Sequence, residues 1–190
     1  MQTLTKTYTG AKIVIETLKQ LGVDTIFGYP GGIVLSVYDE LAQQSDIKHY
    51  LVRHEQSAVH CAEGYARVSD KCGVSVVTSG PGATNIVTGL ANAYLDGFPL
   101  VVITGQVSAE LLHQDAFQEV DIIDITKSCT KKNFQVKCAK DLQKTLIEAY
   151  ETAMSGKKGP VVVDITKNVF SEKTEFHNIK PQITKIPCPN

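Results

Sequence analysis

The sequence predicts an α/β protein: a three-layer, doubly wound domain built on a six-stranded parallel sheet. The first observation is that short apolar strands alternate with longer stretches of helical periodicity, as in a parallel sheet with crossover helices. The second is that runs such as Val74–Thr78 and Leu100–Thr104 are apolar at nearly every position, as in strands covered on both faces. The third is composition: 190 residues with 43% hydrophobic side chains can bury a sizeable core.

Each element follows from its local pattern. The predicted strands are 24–28, 47–53, 74–78, 100–104, 133–136 and 161–165. The predicted helices are 10–20, 33–44, 55–68, 83–95 and 140–154. Thr9 is a candidate N-cap for the first helix and Gly22 ends it. Residues 105–130 are less regular.

The C-terminal stretch differs from the rest of the chain. Residues 169–190 contain three prolines and show no helical period, which predicts a linker or wrapping tail. We therefore expect one domain over residues 1–168, followed by a tail that leads toward a central domain absent from this chain.

Charge and composition exclude several function classes. The 19 basic and 20 acidic residues leave a net charge of -1, which removes the bulk electrostatic attraction to nucleic acid or to anionic membranes. The N-terminus is polar, and no apolar run is long enough to span a bilayer. Five cysteines without a C-x-x-C pair favour reduced thiols over a disulfide framework or a zinc site. These features predict a cytoplasmic or organelle-matrix protein without its own metal ligands.

Candidate ligand-binding residues cluster where predicted strands end, which is where ligands bind in such sheets. Three segments occupy this edge: the turn 28–32, the junction 53–56 and the loop 79–85. The sequence contains no P-loop, dinucleotide fingerprint, H-E-x-x-H or G-x-S-x-G motif. Glu55 begins a helix, where the macrodipole favours an acid whether or not it has a function. Taken singly, these residues therefore fit either a functional site or ordinary turn and cap chemistry.

Taken together, five ordered blocks resemble the acetohydroxyacid synthase (acetolactate synthase) family of thiamine-diphosphate enzymes. The blocks are VDTIFGYPGGIVLSVYDEL at 23–41, RHEQSAVHCAEGYAR at 53–67, TSGPGATN at 78–85, DGFPLVVITGQV at 96–107 and DAFQE at 115–119. The resemblance covers most of residues 10–168. It implies the pyrimidine-binding domain of an enzyme of branched-chain amino acid biosynthesis. That enzyme decarboxylates pyruvate and joins the two-carbon unit to a second 2-oxo acid.

The resemblance also implies roles for individual residues. Glu55 would be the catalytic carboxyl group that hydrogen-bonds N1′ of the cofactor's aminopyrimidine, with Gln118 as a second catalytic and cofactor-binding residue. Gly32 and Phe117 would face the substrate. The remaining expected cofactor contacts are Tyr29, Pro30, Gly31, Gly32, Pro81, Gly82 and Asn85.

Two departures from the family pattern stand out. His113 and Gln114 precede Asp115 where the family reads G-T, so we expect a different ordering of that segment. The resemblance also implies FAD, contacted by an arginine before a G-P-V-V-V-D strand. Lys157 stands at that place and cannot make the same planar bidentate contact, which leaves a flavin-free relative open.

Half of the implied active site is absent from the sequence. No G-D-G motif occurs, so Mg²⁺ would be held by a diphosphate-binding domain outside this chain. We expect this chain alone to be inactive and to work in a homodimer or larger assembly. It is either the N-terminal part of a longer chain or a natural subunit of a split 2-oxo acid decarboxylase. A non-catalytic oligomerisation module is the alternative from another class.

Overall fold

The computed structural model describes residues 6–183, which form eight strands and eight α-helices in that range. The strands are β1 (Lys6–Thr9), β2 (Thr25–Tyr29), β3 (Lys48–Leu51), β4 (Gly73–Val77), β5 (Leu100–Gln106), β6 (Lys132–Val136), β7 (Pro160–Thr166) and β8 (Lys173–Phe176). The helices are α1 (Gly10–Gln20), α2 (Leu35–Ala42), α3 (Glu55–Ser69), α4 (Pro81–Thr84), α5 (Val87–Asp96), α6 (Ile122–Thr126), α7 (Ala139–Met154) and α8 (Lys167–Ser171).

Six of these strands form one parallel sheet, in the order β3-β2-β4-β5-β7-β6. Every residue of β4, β5 and β7 is buried, which explains their uninterrupted apolar patterns. Helices cover both faces of the sheet and make two cores. Ile13, Leu18 and Leu142 lie in one core, and Val59 and Leu90 lie in the other. The predicted doubly wound α/β fold is confirmed.

Local signals explain several helix ends. Thr9 caps α1, because its Oγ1 accepts a hydrogen bond from the backbone N–H of Lys12 at 3.3 Å. Gly22 follows that helix with a φ of 77°, in the left-handed region that glycine tolerates. At the start of α3, His54 Nδ1 accepts a hydrogen bond from the backbone N–H of Gln56 at 3.1 Å.

The helix predicted over 83–95 is divided in the structure. The chain turns into α4 at Pro81, then bends at Asn85 and Ile86 before α5 begins at Val87. The bend coincides with a tertiary contact, since the Asn85 side chain reaches Glu55. A continuous apolar stripe therefore does not reveal this break, which accompanies a contact with a different helix.

Part of the predicted linker or wrapping tail after residue 168 forms regular structure in the protein. Val169 and Phe170 are buried within α8, and β8 pairs antiparallel with β1. The Gln143 side chain also accepts a hydrogen bond from the backbone N–H of His177 at 3.0 Å. The segment up to residue 176 therefore packs on the domain, while the boundary at 168 stays a prediction.

Two observations bear on compartment. Within residues 6–183, no helix has the length and apolar character needed to cross a bilayer. The four cysteines in that range, Cys61, Cys72, Cys129 and Cys138, are free thiols. Cys188 lies outside the described residues.

Candidate active site

The site centres on Glu55, the first residue of α3. Its side chain points into the protein, and the residue is only 8% exposed. Oε2 accepts a hydrogen bond from Asn85 Nδ2 at 2.9 Å. Among the described residues, no basic side chain forms an ion pair with Glu55. A buried carboxylate with one neutral donor retains acceptor sites that a ligand can use.

Sheet topology places the two glycine-containing turns side by side. Strands β2 and β4 are parallel neighbours, with Tyr29 paired to Val77. The chain therefore leaves both strands at the same edge of the sheet. A Cβ on Gly31 would lie 2.5 Å from Thr78 Cγ2, so the first turn packs directly on the second.

The second turn packs closely against Glu55. A Cβ on Gly82 would lie 2.7 Å from Thr78 Cγ2 and 3.3 Å from Glu55 Oε1. Gly80 has φ 57° and ψ −121°, a conformation that essentially requires glycine. These glycines let backbone approach the carboxylate and keep the space beside it free of side chains.

Gln118 reaches the same edge from the irregular segment after β5. A Cβ on Gly80 would lie 2.8 Å from the Gln118 carbonyl oxygen, so the two backbones are in contact. Gln118 has a φ of 61°, and its neighbour Phe117 is 89% exposed. His113 and Asp115 also have positive φ, and this part of the chain contains only short helical turns.

The remaining predicted residues surround this centre. Tyr29, Gly32 and Pro81 are exposed at its rim, and Pro30 is half-buried. Gly32 borders a cleft of about 390 Å³ whose other lining residues include Ser36, Ser108 and Lys167. The structure thus combines a buried carboxylate with an open, partly apolar rim.

Sequence reasoning missed three residues near this centre. Tyr38 donates a hydrogen bond from its hydroxyl to the Val76 carbonyl at 2.7 Å. Burial and then the charge of Glu55 raise the pKa of Tyr38, which keeps its phenol neutral. Thr78 contacts both glycine turns, and Lys167 lines the cleft. Tyr38 lies in the first block, at 23–41, and Thr78 lies in the TSGPGATN block, but no local signal distinguished either residue or Lys167.

Comparisons with known proteins identify the family of the chain. Residues 8–125 match the family model described as the thiamine pyrophosphate enzyme, N-terminal TPP binding domain. The chain is 50% identical over 179 residues to an acetolactate synthase of Arthrospira platensis, a match that covers 93% of this chain and 31% of that protein. It is 51% identical over 176 residues to the acetolactate synthase large subunit of Lactococcus lactis subsp. lactis, covering 92% and 31% respectively.

A third relative shows the same proportions. The chain is 46% identical over 181 residues to the acetolactate synthase large subunit of Haemophilus influenzae, covering 95% of this chain and 32% of that protein. The chain therefore spans about a third of the length of these curated relatives. From the family match and these identities, it belongs to the thiamine pyrophosphate enzymes, whose N-terminal TPP-binding domain it contains.

Proposed function

We propose that this chain supplies the aminopyrimidine-binding half of the active site of an acetolactate synthase. That enzyme decarboxylates pyruvate and joins the two-carbon unit to a second 2-oxo acid in branched-chain amino acid biosynthesis. The observation that carries the proposal is Glu55, a buried carboxylate with no cation partner among the described residues. It lies in a chain about half identical to acetolactate synthases over more than nine-tenths of its length.

The residues around Glu55 fit a flat ring with polar edges. Gly82 leaves room beside the carboxylate that a side chain would fill. Thr78 Oγ1 and Ser79 Oγ are buried, and neither has a hydrogen-bond partner among the described residues. Buried hydroxyls are rarely left unpaired, so both are candidates for contact with a polar ligand. A heteroaromatic ring with nitrogen atoms meets both the shape and the chemistry of this place.

When bound, thiamine diphosphate supplies a thiazolium carbon that adds to the 2-oxo group and accepts the electron pair left by decarboxylation. The role of Glu55 is to hold or share a proton at N1′ of the aminopyrimidine. Exclusion of water from around the carboxylate strengthens that hydrogen bond. Asn85 orients the carboxylate by donating to Oε2.

The residues around Glu55 supply the remaining contacts to the cofactor and the substrate. Tyr29, Pro30, Gly31 and Gly32 lie on the thiazolium side, and Pro81 lies beside the pyrimidine. Phe117 and Gln118 face the substrate, together with the open side of Gly32. The exposure of Tyr29, Gly32, Pro81 and Phe117 in this chain supports a site that is completed by another protein surface.

Several parts of the enzyme lie beyond this chain. The proposed complete enzyme holds Mg²⁺ and the cofactor diphosphate in a separate domain, has a central domain and acts as a homodimer or larger assembly. Buried, free Cys72 and Cys129 support a reducing compartment, and we place the enzyme in the cytoplasm. The proposal leaves open both an enzyme that binds FAD and a flavin-free one. Lys157 replaces the expected arginine, and its Nζ lies over the Tyr94 ring, 5.7 Å from the centroid.

The proposal is tested with the full-length enzyme that contains this chain, supplied with pyruvate, thiamine diphosphate and Mg²⁺. We expect acetolactate, formed only when the cofactor is present. Acetaldehyde as the sole product would instead indicate a simple decarboxylase. Neither product, together with no cofactor-dependent proton exchange at C2, would indicate a non-catalytic module.

A further inference from the structure

The segment that carries Phe117 and Gln118 has a strained backbone. His113, Asp115 and Gln118 have φ values of 65°, 53° and 61°, in the left-handed region that non-glycine residues rarely adopt. Such conformations persist only where neighbouring groups enforce them. Because the segment is largely exposed, apolar packing alone does not account for its shape.

One carboxylate collects the backbone donors of this segment. Glu119 Oε1 accepts from the N–H of His113, and Oε2 accepts from the N–H of Ala116 at 3.0 Å and of Gln114 at 3.3 Å. The hydrogen bonds from Ala116 and His113 lower the pKa of Glu119, so the side chain is ionised at neutral pH. An anion surrounded by successive backbone N–H groups is a stable arrangement even near the surface.

The ends of the segment are anchored separately. Gln106 Nε2 donates to the Val120 carbonyl at 2.8 Å and to buried Asp164 at 3.2 Å. Asn168 Oδ1 accepts from the N–H of Ala109 at 3.0 Å. These bonds fix where the segment leaves and rejoins the sheet, but they do not fix its tip.

We infer that Glu119 is a positioning residue that holds the tip, and with it Phe117 and Gln118, in the geometry needed on the substrate side of the site. The Gln118 backbone contacts Gly80, so the tip lies against the turn that contains Gly82. The inference rests on the proposed function, because it assigns Glu119 to the same site. The local order of the tip can be measured without activity.

The first test compares Glu119→Ala with Glu110→Ala in this 190-residue chain. Glu110 is an exposed glutamate of the same segment, and Gln114 contacts only its backbone carbonyl. Amide exchange measured by NMR should become at least tenfold faster at His113, Gln114 and Ala116 in the Glu119 variant alone. The unfolding midpoint should change little, because the sheet core is untouched. Unchanged exchange in Glu119→Ala would overturn the inference whatever reaction the enzyme performs.

The second test uses Glu119→Gln in the full-length enzyme. The amide keeps the size of the side chain, but its NH₂ group opposes one of the converging N–H donors. We expect acetolactate formation to fall at least tenfold while cofactor C2 exchange changes less than threefold. Equal losses of both would indicate a general structural role and overturn the positioning role. Absence of acetolactate formation in the wild type would overturn the proposed function, and the amide exchange would still decide the role of Glu119.

Discussion

Helix α3 carries two buried glutamates in opposite electrostatic situations. Glu63 is 3% exposed, receives a hydrogen bond from Arg67 Nη2 at 2.8 Å, and Asn92 Nδ2 lies 2.8 Å from each of its oxygens. Glu55 is 8% exposed and has Asn85 as its one side-chain partner among the described residues. Burial is therefore common to both glutamates, and the difference is that Glu55 retains acceptor capacity that a ligand can use.

The largest expected effect is on enzyme activity, which a substitution of Glu55 should lower far more than the same substitution of Glu63. In the full-length enzyme, Glu55→Gln should slow acetolactate formation and C2 proton exchange by about 10²–10⁴-fold, because an amide cannot hold or share the N1′ proton. The matched variant Glu63→Gln, on the same helix, should retain both rates within a few-fold. NMR of hydrogen–deuterium exchange at C2 of bound cofactor measures the step directly. Near-normal exchange in Glu55→Gln would remove Glu55 from the catalytic assignment.

Asp164 is a third buried acid. Like Glu55 and unlike Glu63, it has no cation partner among the described residues. It is 0% exposed, and Thr104, Gln106 and Gln135 all donate hydrogen bonds to its carboxylate. Burial raises the pKa of Asp164 from 3.8 to about 6, although the three donors and the charge of Asp121 also act on it. Its carboxylate is satisfied by neutral donors inside the sheet, so it lacks the free acceptor capacity on which the proposed role of Glu55 depends.

The raised pKa of Asp164 predicts the direction in which the stability of the chain changes with pH. A folded-state pKa above the unfolded value means that the folded chain binds the proton more tightly, so this stabilisation is full below about pH 4 and is lost as pH rises through 6. Relative to Asp164→Asn, the wild type should lose about 3 kcal/mol in free energy of unfolding between pH 3 and 7.5. Urea denaturation of the chain at several pH values measures the difference. A pH-independent difference between the wild type and Asp164→Asn would contradict this interpretation.

The sequence predicted the sheet well because its signals are local. Apolar runs such as Leu100–Thr104 need no knowledge of their neighbours to be identified as buried strands. Strand β1 and its partner β8 could not be found in this way, because each is polar and is defined by pairing across almost the whole chain. The break after α4 was missed for a similar reason, since it accompanies a side-chain contact between Asn85 and Glu55.

The candidate site was predictable only through ordered blocks. Glu55 alone was indistinguishable from a helix-terminal acid, and the structure adds that it is buried and short of partners. The contact of Gly80 with Gln118 joins segments that no periodicity connects. Glu119 sat within the DAFQE block, yet its role depends on backbone φ values that no residue pattern encodes.

For stability, the order of the two glutamates is reversed, and the expected effect is smaller. Glu63→Gln should lower the free energy of unfolding by about 2 kcal/mol, because one of its converging donors is left opposed by an NH₂ group in a buried place. Glu55→Gln should cost less than about 1 kcal/mol, since Asn85 can still donate to the amide oxygen. Urea denaturation of the two variants in this chain gives the ordering. A greater loss in Glu55→Gln would mean that Glu55 is itself a structural acid.

The smallest expected effect concerns the glycines next to the two acids. Gly64 lies beside Glu63 in the interior of α3, and a Cβ added to it would meet no neighbouring side chain or other element within 4 Å. Gly64→Ala should therefore stabilise the chain by about 0.5–1 kcal/mol through helix propensity alone. A Cβ on Gly82, beside Glu55, would lie 2.7 Å from Thr78 Cγ2, so Gly82→Ala should destabilise the chain and weaken cofactor binding in the full-length enzyme. Thermal unfolding measures the stability of both variants, and cofactor titration of the full-length enzyme measures the loss of binding in Gly82→Ala. If Gly82→Ala changed neither stability nor cofactor binding, the space beside Glu55 would not need to be free of a side chain. The proposed difference between Glu55 and Glu63 would then lose one of its supports.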